Sequence, residues 1–229
     1  MSAPRIKFCG MTRMEDAELA VSLDAWAIGM ILWPGSKRAA DPAVAEAIAR
    51  NLRRKVEVVG VFVNQSLDEV ASLADVIGLT VVQLHGDEGP SYANEVARRT
   101  GAKVIKAQPV RLASDVVAVQ AFHTDFHLLD THRAGVRGGT GETFEWSMLS
   151  RRRSEVPLIL AGGLTPDNVV AAIEAVDPWG VDVASGVESA PGIKDHEKMK
   201  AFAEAVRSTA PLVPTPTPPG RGAPVRPAA

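Results

Sequence analysis

The 229-residue sequence predicts an α/β fold, a single (β/α)8 TIM barrel over residues 1–210 followed by a disordered, Pro-rich tail over 211–229. Three observations support this prediction. Eight short apolar segments alternate with segments of helical periodicity, the pattern of parallel strands joined by helical crossovers. About 200 residues is a usual length for one such barrel. Polar residues and glycines follow several predicted strands, at the end where these barrels carry their active sites.

A doubly wound open sheet is the alternative fold for the same alternation of strands and helices. That fold usually has fewer strands, and no GxGxxG sequence follows the first predicted strand here. We therefore favour the closed barrel over the open sheet.

The predicted strands are short apolar runs that end at polar residues or glycine. The third run, VEVVGVFV, is rich in β-branched valine, which is typical of a strand buried on both faces. The sixth is followed by a loop with four glycines within residues 135–141, which allows tight turns and a close approach of the backbone to a ligand. The eight strands are predicted at residues 6–10, 25–32, 56–63, 81–86, 103–108, 126–129, 157–161 and 181–184.

About eight helices are predicted between and after these strands. Capping residues mark four helix starts, and apolar residues at helical spacing follow each start. The predicted starts are Thr12 with Glu15, Asp41 with Pro42, Ser66 with Glu69, and Thr165 with Pro166. Periodicity alone predicts further helices over 92–99 and 113–122, and a last helix around Met199, Phe202 and Val206.

Composition argues against several classes of function. The formal net charge is -2, so no strong attraction to nucleic acid or to an anionic membrane is expected. The first residues lack the apolar run of a signal peptide, and no apolar stretch approaches ~18 residues. We expect a cytoplasmic protein with no nucleic-acid or membrane partner. The single cysteine, Cys9, argues against a disulfide framework and a CxxC metal site.

The last 19 residues contain seven prolines and little apolar material, so we expect an extended, disordered tail. A docking peptide is the alternative interpretation, because PxxP-like sequences also occur in recognition segments.

The ends of the predicted strands collect residues that can carry chemistry. They are Cys9, Arg38 in the loop after the second strand, His85, Asp130 and Asp182. A thiol and a carboxyl group on opposite sides of one barrel can move two protons without a metal. The alternative for Cys9 is a small core residue, which is the commoner place of a lone cysteine. A guanidinium can bind a carboxylate with paired donors, although Arg38 could equally be a solvated loop cation.

Two of these residues have open interpretations. His85 has no second histidine or acid at metal-ligand spacing, so we expect no metal site there. It is a candidate for substrate binding, with an ordinary satisfied polar residue as the alternative. Asp182 lies inside an apolar strand and needs a partner, which could be a ligand hydroxyl or amine, or a backbone group.

Glycine turns follow the last two strands, at Gly162–Gly163 and at Ser185–Gly186. In (β/α)8 barrels these two loops frequently hold a phosphate group through backbone N–H groups. Ordinary tight turns are the alternative. The occurrence of both turns at the expected strands favours a phosphate site.

With these residues in place, the chain resembles the phosphoribosylanthranilate isomerase family of tryptophan biosynthesis. Six motifs carry the resemblance, in order, over residues 5 to about 207. They are KFCGMT at 7–12, QLHGDE at 83–88, LLD at 128–130, GGTGETFEW at 138–146, LAGGLTPDNV at 160–169 and GVDVASGVESAPGIKD at 180–195. Two positions depart from the family pattern: Glu142 replaces a common lysine, and Ala184 replaces a frequent serine.

The resemblance implies a cofactor-free Amadori rearrangement. N-(5-phosphoribosyl)anthranilate would become 1-(2-carboxyphenylamino)-1-deoxyribulose 5-phosphate in a monomer or homodimer. Asp130 is expected to be the general acid and Cys9 the general base. Arg38 would bind the anthranilate carboxylate, and Asp182 would contact polar atoms of the substrate. The turns at residues 162–163 and 185–186 would hold the phosphate.

Two other functions remain as alternatives. The aminoaldose isomerase of histidine biosynthesis runs the same rearrangement with two aspartates on a two-phosphate substrate. Cys9 and the single pair of glycine turns argue against it. A non-catalytic barrel that only binds sugar phosphates would give no reason for a cysteine opposite an aspartate.

Overall fold

A computed structural model describes residues 3–131, 149 and 152–210. The glycine-rich loop after the sixth strand, with Glu142, and the proline-rich tail lie outside the described residues.

The described residues form eight parallel strands that close into a barrel in the order β1 to β8. Each strand pairs with the next along the chain, and β1 also pairs with β8, where Lys7 lies opposite Asp182. The predicted barrel is therefore confirmed. The strands are β1 (Arg5–Cys9), β2 (Ala27–Ile31), β3 (Glu57–Phe62), β4 (Val81–Leu84), β5 (Lys103–Pro109), β6 (Phe126–Asp130), β7 (Leu158–Ala161) and β8 (Gly180–Val183).

Seven α-helices within the described residues surround the barrel. They are α1 (Met14–Ser22), α2 (Pro42–Leu52), α3 (Leu67–Ile77), α4 (Pro90–Thr100), α5 (Ala113–Ala118), α6 (Val169–Val176) and α7 (His196–Ser208). Short 3-10 helices occupy Val119–Ala121 and Ser185–Val187. Between the second of these and α7 lies a small antiparallel hairpin, β9 (Glu188–Ala190) with β10 (Ile193–Lys194), which the sequence patterns did not predict.

Two of the four predicted helix caps are confirmed. The side chain of Asp41 accepts a hydrogen bond from the N–H of Ala43, and Ser66 accepts one from Glu69. The prediction for Thr12 is wrong, because α1 begins at Met14 and the Thr12 hydroxyl donates to the Gly192 carbonyl of the hairpin loop.

The prediction for Thr165 is also wrong. Helix α6 begins only at Val169, and Asn168 is its N-cap residue. The Asn168 side chain instead accepts a hydrogen bond from the Thr165 N–H and donates one to the Gly163 carbonyl. The N–H groups of Asn168 and Val169 both donate to the Thr165 carbonyl, so the residues before α6 form a turn that leads into the helix.

The hydrophobic core has two parts because strand side chains alternate between the two faces of the sheet. A large cluster fills the space between the strands and the helices. A smaller one, with Cys9, Val59, Ile105 and Leu128 among its members, fills the inside of the barrel. Residues two positions from these members on the same strands therefore also point inward.

Three aromatic rings pack together at the amino end of the barrel. Trp26 precedes β2, Phe126 begins β6 and Trp179 precedes β8, and their ring centroids lie 4.8–5.0 Å apart. These rings close the amino end, so the opposite end, where the strands finish, is the opening available to a ligand. We call this end the barrel mouth. No helix in the described part of the chain is long and apolar enough to span a membrane.

Candidate active site

The inward-facing residues at the barrel mouth include Cys9, His85 and Asp130. Cys9 and Asp130 are the last residues of β1 and β6, and His85 follows the last residue of β4. Strands β1 and β6 are separated by β7 and β8 on one side of the barrel, so the thiol and the carboxyl group face each other across the mouth. The structure therefore brings the sequence-predicted acid and base to the same opening.

Cys9 is nearly buried, with 6% of its surface exposed. Burial raises the pKa of the Cys9 thiol because a thiolate is poorly solvated there, and attraction to the Lys7 ammonium opposes part of this rise. Lys194, whose Nζ donates to the Cys9 carbonyl oxygen at 2.6 Å, acts in the same direction as Lys7. Cys9 therefore lies between two buried ammonium groups.

Lys7 is a site residue that sequence reasoning missed. It is entirely buried, and its Nζ donates to Asp182 Oδ1 at 2.8 Å. Asp182 thus has a lysine side chain as partner, where the sequence suggested a ligand or a backbone group. Burial disfavours the Lys7 charge, but attraction to Asp182 and, more weakly, to Cys9 raises its pKa above the ordinary value.

Arg38 is held by Glu188, another residue that the sequence patterns did not single out. Arg38 Nε lies 2.8 Å from Oε1 and 2.9 Å from Oε2 of Glu188, and Nη2 lies 2.8 Å from Oε2. Burial alone would raise the pKa of Glu188, but hydrogen bonds from Arg38 and attraction to Lys194 hold it below the usual range. Glu188 lies on β9, so the unpredicted hairpin fixes the guanidinium.

His85 lies between Gln83 and Asp130. Its Nδ1 lies 2.9 Å from Gln83 Nε2, and its Nε2 lies 3.6 Å from Asp130 Oδ2. Gln83 is almost fully buried, whereas about a quarter of each of the other two side chains is exposed at the mouth. With the Gln83 amide nitrogen towards Nδ1, the other ring nitrogen of His85, Nε2, is the one that faces Asp130.

The turns after β7 and β8 pack against each other. Gly162 and Gly163 have φ angles of 101° and 68°, which only glycine adopts easily. A Cβ atom on Gly186 would lie 1.8 Å from the Leu164 carbonyl oxygen, so the second turn depends on glycine for its close approach to the first. Ser185 and Gly186 lie in the 3-10 helix there. The predicted phosphate-binding residues therefore form one compact surface at the mouth.

Metal-ligand clusters of three or more histidine, cysteine or acidic side chains do not occur within the described ranges. What the arrangement offers is a thiol and a carboxyl group across one opening. An arginine and a pair of glycine turns lie around the same rim.

Comparison with known proteins points to one family. The family model described as N-(5'phosphoribosyl)anthranilate (PRA) isomerase matches residues 6–205. The isomerase of that name from Pseudomonas fluorescens strain SBW25 is 46% identical over 211 residues, which cover 91% of this chain and 98% of that protein.

Solved structures give the same result. The crystal structure of phosphoribosyl anthranilate isomerase from Thermotoga maritima matches with a TM-score of 0.80 at 39% identity, covering 90% of this chain and 99% of that one. A structure of the isomerase in complex with reduced 1-(o-carboxyphenylamino)-1-deoxyribulose 5-phosphate matches with a TM-score of 0.77 at 37% identity and the same coverage. The chain belongs to the N-(5'-phosphoribosyl)anthranilate isomerase family.

Proposed function

We propose that this protein catalyses the Amadori rearrangement of N-(5-phosphoribosyl)anthranilate to 1-(2-carboxyphenylamino)-1-deoxyribulose 5-phosphate, a step of tryptophan biosynthesis. One observation carries the proposal. In a chain of this isomerase family, a thiol and a carboxyl group, on Cys9 and Asp130, face each other across the barrel mouth.

Asp130 acts as the general acid. It gives a proton to the ring oxygen of the ribose as the bond from that oxygen to C1 breaks, and the anthranilate nitrogen becomes a Schiff base. The contact of His85 with Asp130 supports this role, because an N–H facing the carboxylate stabilises it after the proton has left.

Cys9 acts as the general base. It removes the proton from C2 of the open-chain Schiff base, giving an enolamine that tautomerises to the ketone. The buried ammonium groups of Lys7 and Lys194 support this role, since each favours a negative charge on the sulfur. The two proton transfers need no cofactor, so we expect turnover to survive treatment with EDTA.

The remaining site residues bind the substrate. Arg38 binds the anthranilate carboxylate, and the turns at residues 162–163 and 185–186 bind the phosphate. His85 and Asp182 complete the polar surroundings of the sugar. All of these residues come from one chain, so we expect an active monomer or homodimer. We also expect it to work in the cytoplasm.

The test is the loss of phosphoribosylanthranilate fluorescence on addition of the purified protein. Turnover that is saturable and unaffected by EDTA supports the proposal. Tight binding of the reduced product analogue without turnover would instead favour the non-catalytic sugar-phosphate barrel. Turnover of only the two-phosphate aminoaldose of histidine biosynthesis would favour the other isomerase.

A further inference from the structure

Lys7 lies next to Cys9 inside the barrel, on the side towards the amino end. The two residues are two positions apart on β1, so their side chains point to the same, inward face. Both side chains reach the space above Gly29 on β2. A Cβ atom on Gly29 would lie 2.9 Å from Cys9 Sγ and 3.1 Å from Lys7 Nζ. The sulfur and the ammonium therefore lie within the roughly 4–6 Å range over which opposite charges stabilise each other.

Lys7 is placed to act through Cys9 rather than on the substrate. Its side chain is 0% exposed, and it lies one inward layer deeper than Cys9, towards the closed amino end of the barrel. Asp182 holds the ammonium from β8 at 2.8 Å. A ligand that enters from the mouth meets Cys9 before it reaches Lys7.

The charges around Cys9 come from five residues on different elements. Lys7 shares β1 with it, and Asp182 faces it from β8. Lys194 on β10 donates to the Cys9 carbonyl and to Glu188 Oε1, and Glu188 in turn binds Arg38 after β2. These five groups comprise three cations and two carboxylates. A sixth group, the carboxyl group of Asp130 at the end of β6, faces Cys9 from across the mouth.

We propose that Lys7 is a positioning residue for the base: its ammonium, anchored by Asp182, holds the Cys9 sulfur in place and stabilises its thiolate form. This inference rests on the role of Cys9 in the proposed function. Burial already raises the pKa of Cys9, and attraction to Lys7 is the largest opposing effect. Without Lys7, the thiolate would therefore form only at still higher pH.

The test is a titration of the Cys9 thiolate by its ultraviolet absorbance in the full-length, substrate-free protein. Cys9 is the only cysteine, and the absorbance change of the Cys9→Ser protein, which contains the ionisation of Tyr92, is subtracted as background. Lys7→Met should raise the thiol pKa by about one to three units, the usual effect of one close opposite charge. The acid limb of the kcat/KM profile should move to higher pH by the same amount, while KM changes little.

Lys106→Met is the matched control. Lys106 is equally buried and paired with Glu88 at 3.1 Å, but it lies on the outer face of β5, away from Cys9. This variant should leave the Cys9 titration as in the wild type. If both lysine variants raise the thiol pKa equally, the effect reflects a general loss of buried charge, and the proposal is wrong.

Lys7→Met leaves the buried carboxylate of Asp182 without its partner and could prevent folding. The double variant Lys7→Met with Asp182→Asn removes that problem. Attraction to Lys7 outweighs repulsion by Asp182 at Cys9, so the double variant should still raise the thiol pKa. A wild-type titration in the double variant overturns the inference about Lys7.

The titration needs no substrate, which separates this inference from the proposed function. If the wild type fails to convert phosphoribosylanthranilate, the proposed function fails, whatever the Lys7 variants do. If the wild type turns over and the Lys7 variants titrate normally, only the positioning role of Lys7 fails.

Discussion

Both carboxylate oxygens of Glu188 bind the guanidinium of Arg38. Nε lies 2.8 Å from Oε1 and 2.9 Å from Oε2, and Nη2 lies 2.8 Å from Oε2. This contact turns one edge of the guanidinium towards the hairpin. The Nη1 edge is the one that can bind a ligand carboxylate. Glu188 therefore fixes the direction of the Nη1 edge, through which we propose that Arg38 binds the carboxylate of the substrate.

We expect Arg38→Ala to weaken binding of the reduced product analogue by about 10- to 150-fold, since a charge-assisted hydrogen bond contributes roughly 1.5–3 kcal/mol. Glu188→Gln should have a smaller effect of the same kind, because the guanidinium remains but is held less firmly. Calorimetric titration measures both affinities. The control ligand is the same analogue without its aromatic carboxylate. An equal loss of affinity for both ligands would show that Arg38 does not bind the aromatic carboxylate.

Gly186→Ala tests the contact between the two glycine turns. A Cβ atom would lie 1.8 Å from the Leu164 carbonyl oxygen, so one turn has to move. We expect the unfolding free energy to fall by about 1–3 kcal/mol, as for other overpacked sites, and inorganic phosphate to become a weaker competitive inhibitor.

Gly89→Ala is the control for this substitution, because a Cβ atom there would meet no other atom within 4 Å. Gly89 is the N-cap residue of α4, where alanine is less favourable than glycine, so this variant should lose some stability while phosphate inhibition stays unchanged. Unchanged phosphate inhibition in Gly186→Ala, despite the loss of stability, would place the phosphate elsewhere.

Asp16 ties α1 to the start of α7. It is fully buried and accepts hydrogen bonds from Arg13, from His196 Nε2 at 2.9 Å and from the Lys194 N–H. Burial alone would raise the pKa of Asp16, but these hydrogen bonds outweigh it and hold the pKa below the usual value. A carboxyl group with a lowered folded-state pKa stabilises the fold above its unfolded-state pKa.

We therefore expect Asp16→Asn to lower the unfolding free energy at neutral pH by about 1.5–3 kcal/mol. The difference from the wild type should stay constant down to about pH 4, near the pKa of an unfolded-chain aspartate. Below that pH it should shrink, because the wild type loses this contribution as the pH falls through the folded-state pKa. Urea unfolding at several pH values measures the difference in unfolding free energy between the two proteins. A difference that grows towards low pH would contradict this account.

Deletion of residues 212–229 should leave kcat and melting temperature nearly unchanged. The segment is rich in proline and has no apolar periodicity, so the sequence gives it no surface to pack against the barrel. Thermal unfolding of the truncated and full chains is the measurement. A fall of several degrees on truncation would indicate that the tail docks on the barrel.

The strands were predictable because each is an apolar, often β-branched run whose ends are marked by polar residues or glycine. The caps at Thr12 and Thr165 were not predictable: a distant contact takes the Thr12 hydroxyl, and bonds of the Asn168 side chain hold the turn at Thr165. Thr12 donates to Gly192, which is 180 positions away in the sequence. Local spacing carries no information about such a partner.

The same limit explains what the site prediction missed. Asp182 was recognised as a charge in an apolar strand that needs a partner, and Lys7 is a charge in an apolar strand of the same kind. Their pairing follows from the closure of the barrel, which places β1 beside β8. A buried charge without a partner is energetically costly. The predicted barrel places the first strand beside the last, so the ion pair between these two opposite charges could have been predicted. Glu188 offered no such signal, since its hairpin was not predicted.

Cys9→Ser and Asp130→Asn should each lower kcat by about 10²- to 10⁴-fold, the usual contribution of a general base or acid. Serine keeps the size of the cysteine side chain but is a much poorer base, and asparagine keeps the shape of aspartate but has no acidic proton to give. Both variants should bind the reduced product analogue almost as tightly as the wild type, because neither substitution changes the carboxylate or phosphate contacts.

Chemical modification tests Cys9 independently of substitution. Iodoacetamide should inactivate the wild type by alkylating its one cysteine, and the reduced product analogue should protect it by filling the mouth. If Cys9→Ser kept more than about a tenth of the wild-type kcat, the loss would be too small for the removal of a general base. The sulfur would then be a packing atom of the barrel interior. Asp182, which faces the same interior from β8, would become the first candidate to accept the proton from C2.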